Sequence, residues 1–213
     1  MAKKRILFRM ASMDRSCKAE ELMDIIKNMD DEQFELSILL DHHEGSLLKD
    51  IPADIKVVSL IKKRRKKMSR KPIFFPLQQM YSNIQIPLYC CFPSHVKHKI
   101  RRFPDIEIAF APGSLRGLLN SPFRESVKIF WFSGDITTKP GKGLARMMSR
   151  CNVTVFDSLH SKECFEKHLG FKVPRSLYIH PYINERKVLI QSSKSSLLIE
   201  EKLSGAEKIF VSV

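Results

Sequence analysis

Short apolar runs alternate with amphipathic ones along most of this chain, and that rhythm rules out most architectures. "RILFRMA" (5–11) reads as a strand. "CKAEELMDIIKNM" (17–29) reads as a helix, with Ala19, Leu22, Met23, Ile26 and Met29 at helical spacing. "QFELSILL" (33–40) alternates Phe34, Leu36, Ile38 and Leu40 on one face. "DIKVVSLI" (54–61), "DIEIAFA" (105–111), "VKIFWFS" (127–133) and "VTVFDS" (153–158) extend the series. A helix "LHSKECFEKHLG" follows, stopped by Gly170, and then a strand and turn "SLYIHPYI" (176–183). Strand–helix alternation of this kind predicts an α/β fold. The expectation is a three-layer, Rossmann-like domain with a mostly parallel, doubly wound sheet of about six or seven strands. Such sheets bind ligands at the carboxyl ends of their strands, where the strand order reverses. Function is therefore expected in the loops after the first, fourth, fifth and sixth strands.

The 213 residues suit one substantial domain, or one domain with an appendage. A net charge of +14 favours an anionic partner, whether nucleic acid, an anionic membrane face or a phosphorylated ligand. The basic start has only a short apolar part, broken by Arg9, so no signal peptide is expected. No stretch approaches the roughly 20 apolar residues of a membrane-spanning helix. The five cysteines form no Cys-x-x-Cys pair, which argues for reduced thiols and against a structural zinc site. No metal or cofactor is expected. The first glycine is Gly45, so the loop after the first strand lacks the Gly-x-Gly-x-x-Gly of a dinucleotide site. No phosphate-binding Gly-x-x-x-x-Gly-Lys-Ser/Thr loop is present either.

Several segments, in order, carry a resemblance. "KKRILFRMASMDRSCKAEELMDIIKNMDDEQFELSILLDHHEGSLLKDIPADIKVVSL" resembles the opening of bacterial family 4 retaining glycosyltransferases of the GT-B fold. Ala19-Glu20, the turn at residues 45–48, Pro52 and "IKVVSL" fit that pattern. "PDIEIAFAPG", "KIFWFSGD", "VTVFDSLHSKECFEKHLG" and "YIHPYIN" resemble later segments of the family. The resemblance covers nearly the whole chain. It implies that residues 1–190 are the acceptor-side domain. Residues 191–213, ending in "EKIFVSV", would be a linker and the first strand of a missing C-terminal, donor-binding domain.

The implied activity is transfer of a sugar from a nucleotide-sugar to a glycan or lipid-linked acceptor, in bacterial surface polysaccharide or glycolipid synthesis. The donor would be held through the missing domain. The acceptor site implied by the resemblance comprises Ser12, Arg15, Lys18, Ser133, Asp135, Lys139 and Ser158. Catalytic residues are not assigned. The family's Gly-Gly falls on Cys17-Lys18, and its His before x-Asp falls on Ser133, while Trp131 and Asp135 match. Arg15 and Lys18 could supply charge where the glycines would have admitted a phosphate; solvated loop charges are the alternative. His180 stands where the family has Asn and is expected in a core or capping role. Ser158 also fits a plain helix N-cap. Two other functions remain open: a non-catalytic binding subunit paired with a separate donor-binding chain, and a basic nucleic-acid-binding protein. Nucleic acid is not the expected partner, because no helix-turn-helix, RRM or zinc pattern accompanies the charge.

The run "KKRRKKMSRK" (62–71) places eight Lys or Arg in ten residues and is followed by the apolar, proline-broken "PIFFPLQQMYSNIQIPLYCCFP". Basic residues beside aromatic ones suit an anionic membrane surface. Lys62, Lys63, Arg64, Arg65, Lys66, Lys67, Phe74 and Phe75 are the expected membrane-binding set. They imply a cytoplasmic protein, peripheral on the inner face of the cell membrane. The alternative is a solvated loop whose apolar part packs on the sheet. Each Lys or Arg near an anionic leaflet contributes about 1 kcal/mol. The chain is therefore expected to co-sediment with phosphatidylglycerol vesicles and not with neutral ones. Replacing the six residues 62–67 with Gln should abolish that binding; unchanged binding refutes the anchor.

Overall fold

Runs of Ile, Leu, Val and Phe form the central strands because those strands bury two faces between layers of helix. The computed structural model describes residues 2–61, 93–100, 102–132, 142–170 and 172–181. Met1–Pro181 form one compact unit and Tyr182–Val213 a second, within which the expected boundary at 190/191 falls. The expected terminal strand and the basic segment, with Lys62, Lys63, Arg64, Arg65, Lys66, Lys67, Phe74 and Phe75, lie outside the described residues.

The chain runs β1 (Lys4–Met10), α1 (Cys17–Asn28), β2 (Phe34–His42), a 3-10 turn (Ser46–Asp50), β3 (Lys56–Ile61) and α2 (Pro93–Lys99). It continues with β4 (Ile106–Ala109), α3 (Pro112–Leu119), β5 (Val127–Phe132) and α4 (Lys142–Met148). β6 (Val153–Phe156), α5 (Leu159–Leu169) and β7 (Ser176–Tyr178) complete it. The sheet order is β3-β2-β1-β4-β5-β6-β7, and all six strand pairs are parallel. This is the expected Rossmann-like fold. Among the described residues no helix is long and apolar enough to cross a membrane.

Period-two alternation sorts the side chains into two cores. Ile6, Phe8, Met10, Ile38, Leu40, Ile108 and Phe110 meet the apolar face of α1, made of Ala19, Leu22, Met23 and Ile26. On the other face Leu7, Leu39 and Leu60 pack on Val96 of α2 and on Ile100, which follows it. Phe130, Phe132 and Phe156 pack there on Leu115 and Leu118 of α3, Met148 of α4 and Phe165 of α5. The covering helices change face as strand order reverses, so the switch point lies between β1 and β4.

Helix ends follow local chemistry. Ser158 caps α5, its Oγ accepting the Ser161 N–H at 3.0 Å. Gly170 ends that helix at φ 74°, a left-handed conformation that glycine adopts without strain. α3, with the sequence PGSLRGLL, starts on Pro112 at its first turn.

One cluster breaks the apolar rule. Arg9 is 5% exposed and Glu107 fully buried. Arg9 Nε and Nη2 donate to Glu107 Oε2 at 2.8 and 2.5 Å. Lys128 Nζ reaches Glu107 Oε1 at 2.6 Å, Ser126 Oγ donates to it at 2.5 Å, and Ser121 Oγ lies 2.8 Å from both carboxylate oxygens. Burial pushes the Glu107 carboxyl up, but Arg9, Lys128 and Ser126 outweigh it and hold the group below the usual carboxylate range. Glu107→Leu leaves two buried cations without their anion and should cost about 3–5 kcal/mol in urea unfolding. The triple change Arg9→Met, Glu107→Leu, Lys128→Met should recover most of that loss. If Glu107→Leu alone proves neutral, the network contributes nothing.

Candidate functional site at the carboxyl edge of the sheet

The loop after β1 is fixed by its own backbone. Met13 is fully buried; its N–H donates to Glu44 O at 2.9 Å, and its carbonyl accepts from Leu47 N–H at 3.1 Å. Gly45 makes this approach possible. Its φ is 127°, and a Cβ there would lie 1.9 Å from the Met13 carbonyl carbon. The β1 and β2 loops are thus clamped together beside the switch point.

The expected acceptor residues divide. Ser12 donates to Asp14 Oδ2 at 2.7 Å within this loop. Arg15 is exposed, 3.7 Å from Glu20. Lys18 is ion-paired with Glu21 at 2.6 Å, and both side chains are mostly buried. Ser16 caps α1, accepting the Ala19 N–H at 3.3 Å. The charge of Lys18 is therefore turned back on its own helix, while Arg15 remains at the surface. Ser158 lies at the end of β6 and serves as the α5 cap described above. Ser133, Asp135 and Lys139 lie outside the described residues.

His180, expected in a core or capping role, is exposed, its ring 5.8 Å from that of Tyr178. It follows the end of β7 at Tyr178, and its exposure does not fit a core role. Trp131 stacks on Phe110 across β5 and β4, with ring centroids 5.2 Å apart and planes 12° from parallel. Its indole nitrogen is buried without a hydrogen-bond partner.

Sequence reading passed over the end of β2. There Asp41, His42, His43 and Glu44 follow one another beside the β1 loop. The His42 N–H donates to Ala11 O and the His43 N–H to Ile61 O, both at 2.9 Å. His42 Nδ1 is buried with no partner. Burial raises the Asp41 carboxyl to about 6, a rise that the nearby Arg9 cation only partly offsets. Four consecutive polar residues closing an apolar strand were the available signal. Among the described residues no group of three or more His, Cys, Asp and Glu could hold a metal ion. The edge instead brings carboxylate, imidazole and hydroxyl side chains together, groups that can hydrogen-bond hydroxyl-bearing molecules.

No protein-family model matches this chain, and no curated protein matches it. Solved structures do. HepE from Anabaena, solved with UDP-glucose, superposes with a TM-score of 0.56 at 16% identity, over 96% of this chain and 50% of HepE. UGT89C1 from Arabidopsis thaliana, solved with UDP-L-rhamnose, gives 0.53 at 11% identity, over 85% of this chain and 52% of its own. A Listeria monocytogenes protein assigned as a UDP-N-acetylglucosamine 2-epimerase gives 0.56 at 15%, over 94% and 52%. This chain shares its parallel, Rossmann-like α/β fold with part of each of these structures. The chain spans about half the length of these neighbours.

Asp41 supplies a test of this edge. Its carboxyl titrates near 6 in the folded protein and near 3.8 unfolded. The folded state holds the proton more tightly, so stability is greatest below pH 4 as far as this group is concerned. It falls as pH rises through 6. Asp41→Asn should therefore stabilise the protein by about 1–3 kcal/mol at pH 7.5 and by little at pH 4, measured by urea unfolding. A gain independent of pH contradicts the burial of this carboxylate.

Proposed function

We propose that this chain is the acceptor-binding half of a nucleotide-sugar glycosyltransferase. The observation that carries the reading is the extent of the structural likeness: almost all of this chain aligns with about half of HepE. In a two-domain enzyme of this fold, one half closes against the other over the sugar donor. The physical task is to stabilise a departing nucleoside diphosphate and place an acceptor hydroxyl on the sugar. The polar edge around the β1–β4 switch point suits the second part of that task. Neighbours solved with UDP-glucose and UDP-L-rhamnose support a nucleotide-sugar as donor. The family 4 resemblance favours a retaining reaction on a glycan or lipid-linked acceptor in bacterial surface glycan synthesis. The basic run at 62–67 with Phe74 and Phe75 favours work at the cytoplasmic face of an anionic membrane.

The epimerase-like neighbour shares the fold, so the fold does not by itself choose the reaction. Transfer is favoured by the segments "KIFWFSGD" and "YIHPYIN", which resemble glycosyltransferase segments. Residues 1–213 alone are expected to transfer no sugar from UDP- or GDP-sugars. Joined to a donor-binding half they are expected to do so, and Asp135→Ala should then lower turnover about a hundredfold while leaving the melting temperature nearly unchanged. Robust turnover by residues 1–213 alone overturns the half-enzyme reading. Equal losses of turnover and stability would make Asp135 a structural residue.

A further inference from the structure

A small cavity opens on the α2/α3 side of the sheet, lined by Arg9, Asp41, Val96, Gly113, Ser114 and Asn120 among others. It holds about 20 Å³, room for one water molecule or one ligand hydroxyl. Four observations bear on what enters it. Ser114 is 5% exposed, and its Oγ is buried with no hydrogen-bond partner. Arg9 also lines the cavity, but its Nε and Nη2 are spent on Glu107 and Ser121, leaving Nη1 outside those bonds. Asp41 lines the cavity, and among the described residues it makes no ion pair. A Cβ added to Gly113 would meet nothing within 4 Å, so the backbone at the start of α3 stands open to an approaching group.

These groups select a chemistry. Arg9 and Asp41 bring opposite charges to the lining, so charge does not favour an anion, and the space is too small for a phosphate. What the cavity lacks is a donor for Asp41 and a partner for Ser114 Oγ. A single hydroxyl supplies both, donating to the carboxylate and accepting from the serine. Asn120 can extend the pattern, since its amide both donates and accepts.

We propose that this cavity is a hydroxyl-recognition subsite for a polyol ligand, anchored by Asp41 and Ser114. That the polyol is a sugar of the acceptor rests on the glycosyltransferase reading; the hydroxyl chemistry does not. Sugar recognition of this kind uses carboxylate and hydroxyl side chains as matched acceptors and donors around each ligand O–H. The cavity lies at the carboxyl half of β1 and β2 and at the first turn of α3, on the switch-point side of the sheet.

The test is a titration of the 15N-labelled chain with methyl glucoside, methyl galactoside and methyl mannoside, followed through the amide resonances of Gly113, Ser114 and Gly117. The fully O-methylated glucoside, which has no hydroxyl to donate, is the control. At least one free glycoside should shift the three amides saturably, and the methylated control should not. Asp41→Ala and Ser114→Ala should each raise the apparent Kd at least tenfold. Ser114→Ala removes a group with no partner, so its melting temperature should match the parent's, which keeps the result interpretable if Asp41→Ala folds poorly. No saturable shift with any of the three glycosides, equal shifts from the methylated control, or an unchanged Kd in Ser114→Ala overturns the subsite. Sugar transfer is measured separately on the joined enzyme. Shifts without transfer retain the subsite and remove the glycosyltransferase reading; transfer without shifts removes the subsite alone.

Discussion

The Arg9–Glu107–Lys128 network is the constraint on which the rest of the sheet depends. It joins β1 and β4, which flank the reversal of strand order, and β5 next to β4. Arg9 and Glu107 lie 98 residues apart, so no local turn sets β1 beside β4. Parallel strands also lack the hairpins that fix register in antiparallel sheets. A slip of one residue would turn Arg9 and Glu107 to opposite faces and leave each charge among apolar side chains. The large desolvation cost of these groups is offset only in the observed register. The network therefore ties the register of the central strands to the position of the loops at their carboxyl ends.

This arrangement has a consequence next door. Arg9 sits close enough to Asp41 to lower its carboxyl somewhat, but its directed hydrogen bonds go to Glu107 and Ser121. Asp41 keeps a raised affinity for its proton because burial dominates and the nearest cation is engaged elsewhere. The same guanidinium thus stabilises one carboxylate fully and another only in part. The first holds strands together, and the second is left with capacity to bond something else. The charges are unequal in role because their hydrogen-bond geometry differs, not because their distances in sequence or their residue types do.

Much of the fold was legible in the sequence because burial on both faces demands runs of Ile, Leu, Val and Phe, and those runs are easy to see. The cap Ser158 and the stop Gly170 were legible for a similar reason: few residue types suit those backbone positions. α3 was not, since PGSLRGLL is short and holds two glycines, which lower helix propensity; its helicity comes from packing Leu115 and Leu118 on Phe130. The site was less legible than the fold. Arg9, Glu107 and Lys128 each look like a stray charge in a strand until parallel pairing stacks them. Asp41 and His42 were hidden because the apolar alternation of β2 draws the eye to Leu40 and stops there, whereas the strand runs on to His42. Ser12, Arg15 and Lys18 were visible as polar loop residues, but the ion pair of Lys18 with Glu21 depends on a helical spacing that only the folded chain makes definite.

The first turn of α1 meets its own needs for hydrogen bonds and charge. Small residues at the opening of such a helix leave its N–H groups free to meet a phosphate. Here Cys17 and Lys18 occupy the first two helical positions, and Ser16 satisfies the Ala19 N–H. Lys18, the nearest cation, is neutralised by Glu21 on the same helix. A helix end that has capped itself and paired its own charge offers little to a diphosphate. Buried polar groups with bonding capacity to spare lie instead at Asp41, His42 and Ser114. If the chain works beside a donor-binding partner domain, this division of labour follows from the side chains: the anion is held elsewhere, and this edge is left to hydroxyls.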